Sequence, residues 1–433
     1  MEKQSNSFGT RMLLLYLLSA YFLPACGLFL LDFESGIYRS PALNLPELLY
    51  GLLLFAVIIL LSFDRSPKWR FRIPPINPPH FLLEVGPLLG LIGVTAIGFV
   101  EGLSRWRYSA TGLSENLSMS SIVYVISPSI FEILLFFEVF YVRDLPEKRL
   151  QRRIIVLLLS AGLALTASGI GPALVVAVAL LYAIFPAQFR VLIFKDYSSP
   201  GVGVGAKLGV IPMVGAALAS LVIAFVIGEQ IKTGSDAAGV ASYWGDLGFR
   251  DYAGYLLERF STAWISLRVA LADYTTTSWS EVGANLWAPI GNFLFRLDLL
   301  TGGAMGFQRP YEGSLMRVNY ELITLNPINE REGTSPGLIG GFVIAFPMPF
   351  SLIALAGYTY FMRTMFNYLG AAFLGAPTWI GSCLALYFFY SLFASPIDYF
   401  LIFDNGFISF VGYMGLALFI RSRFRKAFPN ARS

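Results

Sequence analysis

Leu45-Pro-Glu-Leu-Leu-Tyr-Gly-Leu-Leu-Leu-Phe-Ala-Val-Ile-Ile-Leu-Leu-Ser-Phe63 is apolar on every helical face after its first turn. A run of this length needs about 20 residues' worth of hydrocarbon to bury it, which is the thickness of a bilayer crossed by one α-helix. Similar blocks recur near 12–31, 81–100, 119–142, 154–169, 171–187, 208–228, 338–358, 371–394 and 403–420. The expected fold class is therefore all-α, a polytopic integral membrane helical bundle of ten spans. Continuous blocks rather than short alternating stretches argue against a β-barrel. The whole chain agrees, because 433 residues at 56% hydrophobic and 13% charged lie far from the norm of soluble domains.

Basic residues flanking spans are retained on the cytoplasmic side, so they set the orientation. With the N-terminus inside, 20 of the 31 Lys and Arg residues fall on cytoplasmic segments, and both termini are cytoplasmic. That count takes Arg363 as a short cytoplasmic connection between spans. It also needs a hairpin at Ser168-Gly-Ile-Gly-Pro172, since basic clusters flank both ends of 154–187. The organisation that follows is residues 1–228 with seven spans, an outer segment over 229–337, and residues 338–433 with three spans and a basic tail. The first run is too long for a signal-peptide core and stays apolar beyond Cys26, against a lipoprotein reading.

One histidine, His80, and two cysteines, Cys26 and Cys383, exclude most metal, thiol and histidine chemistry. No nucleic-acid partner is expected. The chemistry-bearing residues collect in 229–337, which holds twelve acids, Lys232, and seven arginines: Arg250, Arg259, Arg268, Arg296, Arg309, Arg317 and Arg331. Guanidinium pairs two oxygens of a phosphate or carboxylate at once, so the preference for Arg over Lys points to such groups, against the plainer reading of ion pairs with the loop's own acids. Arg105, Arg107 and Tyr38-Arg39 lie on the same expected side, while Glu132 and Glu138 fall inside a span.

Tyr252–Ala272 carries a helical pattern, and from Leu286 the chain reads as Gly-rich and irregular as far as Gly341. If Pro336 begins the next helix, Thr334 or Ser335 caps it, and its positive end faces the outer aqueous side, where it would favour a phosphate.

The stretch Thr334-Ser335-Pro336-Gly337-Leu338-Ile339-Gly340, opening a span just after a large Arg-bearing outer loop, resembles the Thr-x-Pro-Gly segment of the Wzy-type repeat-unit polymerases, which make O-antigen and exopolysaccharide in bacterial inner membranes. The resemblance extends to the plan of the whole chain, many spans with one dominant periplasmic loop. The family's Pro-Arg element has no clear copy; Arg296 or Arg309 could occupy its place. The resemblance implies a GT-C-like glycosyltransferase that needs no cofactor, metal or nucleotide sugar. Its substrate would be oligosaccharide repeats on undecaprenyl pyrophosphate, with a flippase and a chain-length regulator as partners.

Such a reaction needs cations for the departing pyrophosphate and a base for the acceptor hydroxyl. Arg259, Arg268, Arg296, Arg309 and Arg317, joined by Arg105 and Arg107, meet the first need. Without an outer histidine the base is a carboxylate, with Glu258, Asp298, Glu312, Glu330 and Glu332 as candidates. Glu330-Arg331-Glu332, beside the resembling segment, is the most suggestive. The competing classes are a transporter or flippase of lipid-linked oligosaccharide, and an O-antigen ligase, which would want an outer histidine that His80 does not supply.

Overall fold

The computed structural model describes residues 8–31, 38–63, 149–166, 261–273, 279–300, 303–308, 315–326 and 334–375, together with isolated positions elsewhere. Among the described residues the regular structure is helical, with no strand. The helices are α1 (Phe8–Leu17), continued through a π-helical turn (Leu18–Phe22) into α2 (Leu23–Leu31), then α3 (Leu45–Phe63) and α4 (Arg149–Thr166). They are followed by α5 (Thr262–Asp273), α6 (Trp279–Leu300), α7 (Leu315–Thr324), α8 (Gly337–Ala345) and α9 (Phe350–Gly375).

Among the described residues two helices are long and apolar enough to cross a membrane, Phe8–Leu30 and Leu45–Phe63. The second coincides with the expected block 45–63, and the first overlaps the expected 12–31 but starts four residues earlier. In α3 the buried positions Tyr50, Gly51, Leu54, Ile58 and Ser62 share one face, while Leu49, Leu52, Leu60 and Phe63 on the other remain exposed. A helix that packs one apolar face against protein and leaves an equally apolar face open suits a hydrocarbon solvent better than water. The start of α3 is fixed by Asn44, whose side chain accepts from Glu47 N at 3.0 Å while the Glu47 carboxylate takes Asn44 N at 2.8 Å. This reciprocal box satisfies two amides at the helix start.

Helix directions follow from paired contacts. Thr10 Oγ1 donates to Ser62 O at 2.6 Å, and Tyr21 packs edge-on against Phe55, so α1 and α3 are antiparallel. Tyr50 is hydrogen-bonded to Ser351 at one end of α3, and Arg363 Nη1 reaches Leu61 O at 2.9 Å at the other, so α9 runs parallel to α3. Gly9 N donates to Asn367 Oδ1 at 2.7 Å and closes the third side. The common core is formed by Leu13, Tyr16, Leu54, Ile58, Leu267, Leu338, Leu355 and Met362 with their neighbours.

The structure redraws three expectations. The block 338–358 is not one continuous helix: α8 ends at Ala345, Phe346 turns extended, and α9 starts at Phe350 and runs to Gly375. Pro347 and Pro349 cannot supply amide donors to a continuing helix, which places the break there. Arg363 is accordingly not a connection but a buried residue inside α9, stacked over Tyr360 and bonded to the open carbonyl end of α3. Leu286–Leu300, read as irregular, is helical and completes α6; the irregular chain begins after it. The expected blocks 81–100, 119–142, 171–187, 208–228 and 403–420, and the hairpin at 168–172, lie outside the described residues apart from isolated helical positions.

Within the 229–337 segment, helix α5 packs into the bundle. Within α5, Ala263, Ile265, Leu267, Val269, Ala270 and Leu271 are all buried, and Leu271 reaches Gly51 of α3. At twelve residues α5 is too short to be read as a span, yet too apolar to stay in water.

The α1–α9 contact sets a steric test. A Cβ on Gly9 would lie 2.4 Å from Arg363 O, a backbone atom that cannot swing away, whereas one on Gly357 in the exposed face of α9 would meet nothing within 4 Å. Gly9→Ala is expected to destabilise the purified protein by about 1–3 kcal/mol, the usual cost of overpacking. Gly357→Ala should be neutral or stabilise by about 0.5–1 kcal/mol, as Gly-to-Ala changes inside helices do. Thermal unfolding of the two variants in the same detergent checks the contrast.

Candidate functional site

The residues that carry the resemblance lie where four elements meet. The first helix bends into register through Pro24, which has no N–H to offer the carbonyl four residues back. The turn before it widens, and Leu23 N bonds Leu18 O across five residues. In a regular α-helix Tyr16 and Tyr21 would be about 140° apart. The wide turn brings their rings into edge contact, centroids 5.8 Å apart, with Tyr16 Oη donating to Tyr21 Oη at 3.3 Å.

Both hydroxyls end on the first turn of α8. Leu338 N donates to Tyr16 Oη at 2.7 Å and Ile339 N to Tyr21 Oη at 2.9 Å. Every residue of α8 from Gly337 to Ala345 is buried. Gly337 sits at φ +65°, and a Cβ there would lie 2.7 Å from Ala263 Cβ and 2.9 Å from each tyrosine hydroxyl, so glycine is required on two counts. Gly340 lets the backbone of α5 approach at Ser266 and Leu267 in the same way.

Thr334 does not cap α8. Its N–H donates to Met316 O at 3.0 Å, and its carbonyl and Oγ1 each accept from Asn319 Nδ2 at 2.9 Å. The positive end of α8 is thus sealed by tyrosine oxygens at the ninth and fourteenth positions of the 23-residue apolar helix Phe8–Leu30, rather than opened to an aqueous face. The expected phosphate site at this terminus is corrected accordingly: the Leu338 and Ile339 amides already have protein acceptors. Asn319 Oδ1 and Ser266 Oγ remain buried here without a hydrogen-bond partner.

A second layer lies over the other end of α5. Arg39 bonds Asp273 at 2.8 Å and Leu322 O at 3.2 Å, and its own N–H donates to Ile323 O at 2.8 Å. Arg268 Nη1 and Nη2 donate to Ser40 Oγ at 2.9 Å and Pro41 O at 2.8 Å, and burial lowers its pKa below the usual arginine range. These two arginines tie the 38–44 segment to α5 and α7. Arg268 therefore fastens α5 to the 38–44 segment.

Asp298 is likewise committed. It is buried near the end of α6, and its two carboxylate oxygens accept Met305 N at 2.6 Å and Phe307 N at 2.7 Å. Gly303 and Gly306, both at positive φ, complete the turn that this carboxylate organises. Arg317 is half-buried on α7, Glu258 is buried just ahead of α5, and Arg296 lies on α6. Arg259, Arg309, Glu330, Arg331, Glu332, Arg105 and Arg107 lie outside the described residues. Sequence reasoning did not single out Tyr16, Tyr21, Asn319 or Gly337 as a joint, although Pro24 eight residues after Tyr16 was a visible signal of a helix irregularity.

Among the described residues no group of three His, Cys, Asp or Glu side chains is placed to hold a metal ion. No family model matches the chain, and neither curated proteins nor solved structures yield a match.

The tyrosine joint predicts that Tyr16→Phe and Tyr21→Phe each lower stability by about 1–3 kcal/mol, because each leaves a buried amide without an acceptor while keeping the ring. Denaturation of the two single variants in detergent, read against wild type, measures it; wild-type stability in both would mean the hydroxyls do not hold α8.

Proposed function

We propose that this chain is a multi-pass membrane glycosyltransferase that joins undecaprenyl-pyrophosphate-linked oligosaccharide repeats at the periplasmic face of a bacterial inner membrane. The observation that carries the reading is that the segment resembling the polymerase family, Thr334 to Gly340, is held from three sides by α1, α5 and α7. A segment so placed joins the apolar bundle to the Arg-bearing region, where a lipid-linked substrate would have its pyrophosphate at the membrane boundary.

In the reaction the acceptor hydroxyl oxygen attacks the anomeric carbon of the growing chain. The bond from that carbon to the pyrophosphate oxygen breaks, lipid pyrophosphate leaves with the electron pair, and a carboxylate takes the hydroxyl proton. Glu330 and Glu332 are assigned the base, and Arg259, Arg296, Arg309 and Arg317 the pyrophosphate. Arg268, expected at the pyrophosphate, and Asp298, expected as a catalytic carboxylate, hold protein partners and are left out of this assignment.

A transporter of the same lipid-linked glycan is the second reading, and one observation favours it. The chain is broken between α8 and α9, and α8 begins at the level of mid-span tyrosines, a feature of discontinuous transporter helices.

Purified protein in liposomes, supplied with undecaprenyl-pyrophosphate repeats and no nucleotide sugar, is expected to lengthen them in the presence of EDTA. Arg→Lys at Arg259, Arg296, Arg309 or Arg317 should lose activity roughly 10- to 150-fold, as Arg→Ala does, if the bidentate fork matters. Substrate that crosses the bilayer without lengthening would transfer the assignment to the transporter.

A further inference from the structure

Helix α4 has a face that neither the fold nor the proposed reaction uses. Ile155, Val156, Leu159, Ser160 and Leu163 are buried on one side. On the opposite side Leu150, Ile154 and Leu157 are 74%, 49% and 51% exposed, and Arg153 lies exposed among them. The spacing 150, 153, 154, 157 is one helical stripe, so a cation stands within an otherwise apolar outer face. Gln151 is also exposed, and beyond Leu157 the small residue Ala161 is exposed on the same stripe.

We infer that the first turn of α4 is a binding surface for the phosphate of an anionic phospholipid, with Arg153 as its principal contact. The inference rests on the membrane reading above. Water would leave Leu150, Ile154 and Leu157 uncompensated, while lipid chains cover them and require a cation in the same face to reach the headgroup layer. Side chains on a helix lean toward its N-terminus, so Arg153 tilts toward the polar end of α4 and away from the apolar stretch that follows. The neighbouring sequence supplies charge complementarity: Arg143, Lys148, Arg149 and Arg152 join Arg153 within eleven residues, against Asp144 and Glu147. Clusters of this size beside a membrane helix attract acidic lipid, and guanidinium matches a phosphate's two oxygens. The N–H groups of the first helical turn add to the same field.

The test uses the full-length protein reconstituted in nanodiscs of phosphatidylcholine containing a minor fraction of phosphatidylglycerol, with co-purifying lipid counted by native mass spectrometry. Wild type is expected to retain phosphatidylglycerol above its share of the mixture. Arg153→Gln should reduce that enrichment roughly fivefold, the weight of one basic residue at an anionic surface, and Arg153→Lys should keep part of it. Soluble glycerol phosphate at millimolar concentration should not displace the lipid; displacement would overturn the commitment to a membrane headgroup. Equal enrichment in wild type and Arg153→Gln, with both folded by circular dichroism, would also overturn it. Failure of the wild-type chain to enter nanodiscs at all would instead overturn the membrane reading on which the inference stands.

Discussion

Two phenolic oxygens inside an apolar helix accept the first amides of another helix, and the described bundle depends on that bond pair. A buried helix start leaves several N–H groups without partners, each costing about 1–3 kcal/mol if left so. No side chain caps this helix, and Thr334, three residues before it, is turned to Asn319. Tyr16 and Tyr21 bring the missing acceptors from α1. Once they are in place, α8 can be entirely buried, Gly337 can approach Ala263, and α5 can lie alongside α8 and α3. Pro24 and the wide turn before it are what allow the two rings to converge, so one imino acid governs the geometry of a contact more than 300 residues away.

The long apolar blocks were legible because composition alone determines that they need hydrocarbon or a core. The boundaries at 45–63 were set by Pro46 and by the polar residues after Phe63, and the capping pair Asn44 and Glu47 was visible at its expected three-residue spacing. The break between α8 and α9 was less so, because Phe346, Met348 and Phe350 keep the block apolar across two prolines that end the helix. Leu286–Leu300 misled for the opposite reason: it reads together with the Gly-rich run that follows it, while burial of Ala288 and Asp298 within helical packing prevailed over local propensity.

The site was legible as a segment but not as a geometry. Residues 334–340 stand out by their Thr, Pro and Gly, yet whether a helix end faces water or a partner is decided by residues far away in the chain. The same holds for the charges. Arg268 and Asp298 have the residue types of a substrate site, but Ser40, Pro41 and the 303–307 turn claim them. The proposed chemistry accordingly draws on a smaller group read from the sequence, Arg259, Arg296, Arg309, Arg317 and the pair Glu330 and Glu332.

The central claim is that the start of α8 is sealed against α1 rather than exposed to the aqueous side. Cysteine accessibility measures it directly. In a background with Cys26 and Cys383 replaced by Ser, single cysteines at Leu338 and at Met305 are treated with a membrane-impermeant maleimide in the folded protein and again after denaturation. Burial of Leu338 and exposure of Met305 predict rapid labelling at 305 and labelling at 338 only after denaturation. Equal rates at the two positions in the folded protein would contradict it.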